Sequence, residues 1–198
     1  MKRFLIILVM VSWCSVGFAK ILPEGTPKEQ YDFALHFVKI AEYENAEVAL
    51  KEFVDTNPNH MLAGHAQYWY ADTFRIRQYY KEAAIAYLDG YEKYPNSAKA
   101  PVNLLKLGLM LVYIGEWEQG CSMIGGVSEM YPSASQSVLQ RTKSDFKRMC
   151  KNPKRASKWV KKAKQYPGEI KTKTAEEFKQ IEITSMIDDA KDKCKVIG

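Results

Sequence analysis

Histidine is scarce in this chain: three in 198 residues, at positions 36, 60 and 65. His60 and His65 stand five apart, the wrong interval for one helical face, and no acidic residue joins them in a metal-ligand pattern. The four cysteines, at 14, 121, 150 and 194, fit no zinc spacing. Glycine-rich phosphate loops, nucleophile elbows and paired carboxylates in a recognisable setting are all missing. These absences remove the common routes to catalysis, so the expectation is a non-enzyme without cofactor or metal. Strand-like alternation never lasts more than a few residues, which leaves an all-α chain. Beyond the first 19 residues no run is long and apolar enough to cross a bilayer, which takes about 20 residues.

What the chain does have is a period of 37 residues. Asn57-Pro58, Tyr94-Pro95 and Tyr131-Pro132 recur at that interval, as do Tyr43, Tyr80 and Trp117. Ala34, Ala71 and Gly108 form another set, Ala46, Ala83 and Gly120 a fourth, and Phe37, Phe74 and Leu111 a fifth. Small residues at fixed offsets with a closing proline describe a repeated helical hairpin. Such hairpins bury their apolar faces only by stacking, and the stack is a superhelix with a concave wall that binds other molecules.

The pattern predicts three hairpins, with helices near 28–41 and 43–56, 63–77 and 80–93, and 99–114 and 117–130. A closing helix follows from about 133 to 150. Residues 20–27 read as a short polar leader, 28–150 as the repeat domain, and 151–198 as a basic helical tail. The small residues should face one another inside each hairpin: Ala34 against Ala46, Ala71 against Ala83, Gly108 against Gly120. That lets the two helices approach at the close end of the usual packing range. Tyr43, Tyr80 and Trp117 should fill the wedge at each turn.

Residues 1–19 read as a signal peptide. Lys2 and Arg3 precede an apolar run from Phe4 to Val11, and Gly17-Phe18-Ala19 is a small-x-small cleavage pattern, so cleavage is expected after Ala19. Trp13 before Cys14 argues against lipidation there. The expected location is the periplasm. The net charge of +6 comes from the tail: residues 20–150 hold 14 Lys+Arg against 16 Asp+Glu, and residues 151–198 hold 13 against 7. No nucleic-acid recognition motif accompanies that charge, so nucleic acid is not an expected partner. An oxidising compartment permits disulfides. Cys121 and Cys150 lie at similar heights on antiparallel helices, which favours a bridge between them over two reduced, buried thiols. Cys194 is left as free or intermolecular.

The hairpins resemble tetratricopeptide repeats lengthened by a three-residue linker. More narrowly, residues 28–150 are similar to the C-terminal repeat domain of the YbgF/CpoB family of Tol–Pal-associated cell-division coordinators. The resemblance rests on Tyr31-Asp32-Phe33-Ala34-Leu35, Ala63-Gly64-His65-Ala66-Gln67-Tyr68-Trp69 and Tyr80-Lys81-Glu82-Ala83-Ala84. It continues through Tyr94-Pro95-Asn96-Ser97-Ala98-Lys99-Ala100-Pro101 and Leu104-Leu105-Lys106-Leu107-Gly108. It implies an adaptor that helps couple outer-membrane constriction to peptidoglycan synthesis, with Tol–Pal components and the synthesis machinery as partners. The family usually carries a trimerising coiled coil before the repeats, and here eight residues separate signal and first repeat, so a monomer is expected. The family domain also normally ends near Cys150. Rival readings are an adaptor for outer-membrane protein assembly and a regulatory subunit of an envelope hydrolase.

Helical spacing assigns the concave wall to the first helix of each hairpin. Tyr31, Leu35 and Val38 come from the first, His65, Tyr68, Asp72 and Arg75 from the second, and Leu105, Leu109 and Val112 from the third. That is an apolar strip at each end with a charged pair between, suited to a peptide. The apolar residues can equally be ordinary core, and Asp72 with Arg75 a local surface ion pair. In the tail, Ala156, Trp159, Val160, Ala163 and Tyr166 line one side of an expected basic helix over 154–166. That helix could lie on an anionic surface or dock Trp159 on the last repeat. A second helix is expected over 174–193, with Ile183, Ile187, Ala190 and Cys194 as a seam.

Overall fold

Thr26 opens the first helix. Its hydroxyl accepts the Glu29 N–H at 3.3 Å while the Glu29 carboxylate accepts the Thr26 N–H at 2.8 Å, and Pro27 stands at a position that needs no donor. The structure, a computed structural model, describes residues 20–151 together with 160, 164, 165 and 167. The expected signal peptide and its cleavage site, the expected helix over 174–193 and Cys194 lie outside these residues, as does most of the expected helix over 154–166.

Seven helices follow in order: α1 (Pro27–Lys39), α2 (Tyr43–Thr56), α3 (Ala63–Ile76), α4 (Tyr80–Lys93), α5 (Ala100–Ile114), α6 (Trp117–Met130) and α7 (Gln136–Met149). Among the described residues there is no strand, and the chain is an all-α stack of helical hairpins. Each helix packs mainly on its neighbours in sequence. The odd helices also touch one another, α1 on α3, α3 on α5 and α5 on α7, which gathers them along one wall.

The helix ends are where the chain departs from the expected spans, and the backbone explains it. Each hairpin turns through one left-handed residue: Ala41 (φ 61°), Gln78 (φ 70°) and Gly115 (φ 102°), again 37 apart. The next N–H, of Glu42, Tyr79 or Glu116, reaches back to the carbonyl of Phe37, Phe74 or Leu111, at 2.9 Å each time. This 6→1 closure ends α1 at Lys39. Between hairpins, His60, Ser97 and Ala134 donate to the carbonyls of Asn57, Tyr94 and Tyr131 at 3.0–3.1 Å. The last of these turns holds residues 131–134 out of α7, which therefore begins at Gln136 and not near 133.

Inside the hairpins the small residues are enclosed. Ala34, Ala46, Ala71 and Ala83 are fully buried. At the third hairpin the backbones nearly touch. A Cβ on Gly120 would lie 2.6 Å from the Gly108 carbonyl oxygen, and one on Gly108 would lie 2.7 Å from the Gly120 oxygen. Of the wedge residues, Tyr80 is buried against Tyr113, and Trp117 donates its indole N–H to the Met149 carbonyl at 3.0 Å. Tyr43 is half-buried.

Cys121 and Cys150 are bonded, with Cα atoms 5.6 Å apart, tying the end of α7 to the start of α6. Closing a loop of that length stabilises the fold by roughly 3–4 kcal/mol on the chain-entropy estimate. At the other end the leader is more than a polar spacer. Leu22 is buried in the core, and the N–H groups of Ile21 and Leu22 both donate to the Glu52 carboxylate, at 2.8 and 3.3 Å. Beyond α7, Val160, Lys164 and Gln165 belong to no helix. At Lys164 the backbone N–H instead donates to the Gln78 carbonyl at 3.2 Å, so the helix expected over 154–166 does not extend through these positions.

Because the obstacle to a side chain at Gly120 is backbone, neighbouring rotamers cannot relieve it. Gly120→Ala is expected to lower stability by roughly 1–3 kcal/mol, despite the better helix propensity of alanine. Urea unfolding followed by circular dichroism measures it; a variant as stable as the parent would contradict the close approach.

Candidate functional site

The wall formed by α1, α3, α5 and α7 is where the expected binding residues were placed, and burial divides them. Leu35, Val38, His65, Tyr68 and Arg75 are half-buried and present part of their surface. Tyr31, Leu105, Leu109 and Val112 are buried in the core. For the α5 residues this corrects the expected apolar strip. Its sequence is apolar on nearly every side, with Lys106 its single charged residue, and a helix of that kind is covered all round. With α4 and α6 on one side and α3 and α7 beside it, α5 has little surface left. The Tyr31 ring lies tilted at 5.7 Å from Phe53 of α2, and its hydroxyl shares a hydrogen bond with Trp69 of α3, so it is enclosed between the first two hairpins.

Asp72 and Arg75 are also more than a surface pair. The Asp72 side chain is 5% exposed. Arg75 donates Nε and Nη2 to its two oxygens at 2.6 and 2.8 Å, and Tyr87, fully buried on α4, donates its hydroxyl to Oδ1. Burial pushes the Asp72 carboxyl up, but the hydrogen bonds from Arg75 and Tyr87 outweigh it and hold the group below its ordinary value. Burial and the nearby Asp72 charge raise Tyr87 well above its own, so it stays a donor. The carboxylate thus joins α3 to α4 and is not offered to a partner.

The accessible part of the wall centres on α3 and the start of α5. Tyr68 and Trp69 meet edge to face at 5.2 Å, and the Lys99 ammonium sits over both rings, at 4.8 and 6.0 Å from their centroids. Such cation–π contacts contribute about 0.5–2 kcal/mol each. Burial, and then the Asp72 carboxylate, push the Tyr68 hydroxyl up to about 12. Burial and the Lys99 charge lower His65, and its Nδ1 is buried with no hydrogen-bond partner among the described residues. Trp69, Lys99 and Lys106 were not among the expected site residues. The period itself could have found two of them, since Lys106 is 37 residues after Trp69 and both stand one position beyond the Tyr68 and Leu105 register.

α7 supplies the far side. Asp145, 2% exposed, accepts from Arg141 Nε at 2.7 Å and from Arg148 Nη2 at 2.6 Å. Among the described residues no three His, Cys, Asp or Glu side chains gather as a metal site, and no helix is long and apolar enough to cross a membrane. No family model matches the chain, and no curated protein matches it.

Removing Arg75 would leave Asp72 buried beside Tyr87 alone. Arg75→Met is expected to cost about 3–5 kcal/mol at neutral pH, the usual consequence of stranding one member of a buried pair. A carboxyl held low in the folded state stabilises above its unfolded pKa of about 3.9 and loses that contribution as pH falls through the folded value. The gap between parent and variant should therefore narrow in acid, which urea titrations at pH 7 and pH 3 would show.

Proposed function

We propose that this chain is a non-catalytic adaptor of the periplasm that captures segments of other envelope proteins on the wall formed by its odd-numbered helices. The observation that supports it most is the group His65, Tyr68, Trp69 and Lys99. Two large aromatic faces lie half-buried beside the closed α5 positions, with the Lys99 cation against them, and aromatic side chains of this kind are enriched among the residues that carry interface binding energy. The Cys121–Cys150 bond favours an oxidising compartment and so supports export. The resemblance to the Tol–Pal cell-division coordinators suggests the setting. The captured proteins would be Tol–Pal components or the peptidoglycan synthesis machinery, and the outcome coordination of outer-membrane constriction with wall growth. Binding on such a wall requires no cofactor and no bond-making step.

Photo-crosslinking in cells tests this directly. A crosslinker at Tyr68 is expected to trap envelope proteins of that machinery, while one at Val48, half-exposed on α2, should not. Tyr68→Ala with Lys99→Glu should weaken capture about tenfold or more, in line with loss of an interface hot spot. Arg75 is left untouched because its loss would unsettle Asp72. Equal trapping from both positions, or capture indifferent to the double substitution, would move the binding surface elsewhere.

A further inference from the structure

Lys106 is the one charge on α5, half-buried, and among the described residues it makes no ion pair and no side-chain hydrogen bond. Its surroundings are charged all the same. Burial lowers its amine, Arg75 and Arg141 lower it further, and Asp72 and Asp145 act against them. α5 packs on both α3 and α7, and the charges acting on Lys106 come from those two helices, so it lies where the three meet. Neither aspartate is available to it. Both oxygens of Asp72 are held by Arg75, with Tyr87 also on Oδ1, and those of Asp145 by Arg141 and Arg148. The aspartates are nearly inaccessible, whereas the side chains of Arg75 and Arg141 are 30% and 63% exposed. Among the described residues the accessible charge at this junction is therefore positive, and one cation in it lacks an anion. An ammonium taken partly out of water without a partner is unfavourable, and a ligand that supplies the anion recovers that cost.

We propose that Lys106, flanked by Arg75 and Arg141, is a binding site for the acidic side chains of an extended partner segment, with the neighbouring Tyr68 and Trp69 faces taking its apolar side chains. The inference rests on the wall reading above and names the chemistry of what the wall prefers. Charge complementarity selects an acidic polypeptide over a basic one. A recessed amine on a helical wall is reached by a single strand more readily than by a flat bilayer of anionic lipid.

The test uses the full chain and two short labelled peptides, amidated at the C-terminus, one alternating glutamate with leucine and one alternating glutamine with leucine. Fluorescence anisotropy should show the glutamate peptide binding about tenfold or more tightly than its glutamine counterpart, a difference near 1.4 kcal/mol. The preference should shrink as salt is raised. Lys106→Met, which keeps the apolar stem, should abolish the preference, and Lys106→Arg should restore it. Lys81→Met, on an exposed residue of α4, should leave it intact. Circular dichroism of each variant establishes that the fold persists. Equal affinity for the two peptides, or a preference that survives Lys106→Met, overturns the proposal. If both peptides bind equally and Tyr68→Ala abolishes both, the wall reading stands and the acidic site falls. Lys106-dependent binding to phosphatidylglycerol vesicles with no binding of either peptide would also overturn it.

Discussion

Two antiparallel helices joined by two or three residues can approach only as closely as the side chains at their crossing allow, and here that crossing holds almost nothing. Fully buried alanines hold the crossing positions in the first two hairpins, and glycine meets glycine in the third, where one helix's carbonyl stands within 2.7 Å of where the other's Cβ would be. Every larger feature follows from this closeness. The hairpins stack in chain order, which gathers α1, α3, α5 and α7 along one wall. A left-handed residue closes each hairpin turn. Ala41 and Gln78 take this conformation without glycine's freedom, which costs about 1–2 kcal/mol at each. The identical 6→1 bonds at 2.9 Å are part of what offsets it.

Most of the fold was legible because its determinants repeat. Prolines, small residues and aromatics at one interval located all seven helices to within about three residues. The misses come from effects that a single register cannot express. The start of α7 is the exception: the 131–134 turn repeats the backbone of 57–60 and 94–97, and the Tyr131-Pro132 copy of the period already marked it, so the expected start near 133 was too early by the period's own measure. Leu22 went unnoticed since one leucine in a polar leader has no period, and its burial depends on Glu52, which is distant in sequence but accepts two leader N–H groups.

The wall was legible by position and much less so by chemistry. Helical spacing put Leu105 and Leu109 in line with Tyr68 and Asp72, correctly as geometry. It could not say that an almost wholly apolar α5 would be enclosed on most sides, Leu105 and Leu109 included. Asp72 and Arg75, three apart, read as a local pair because the residue that changes their meaning, Tyr87, lies on the next helix. Lys106 was passed over for the opposite reason. A lysine on a helix reads as solvated, and only the neighbouring arginines, with both nearby aspartates already engaged, show it to be a cation without an anion among the described residues.

The bond between Cys121 and Cys150 also decides how the domain transmits mechanical load. A pull applied to the chain beyond residue 150 passes through the sulfur bridge straight into the start of α6. Residues 122–149, α7 among them, lie inside the covalent loop and carry none of that tension. Traction from the C-terminal side would thus reach the third hairpin without first peeling away the helix that closes the wall, and reducing the bridge would make that helix the first element to yield.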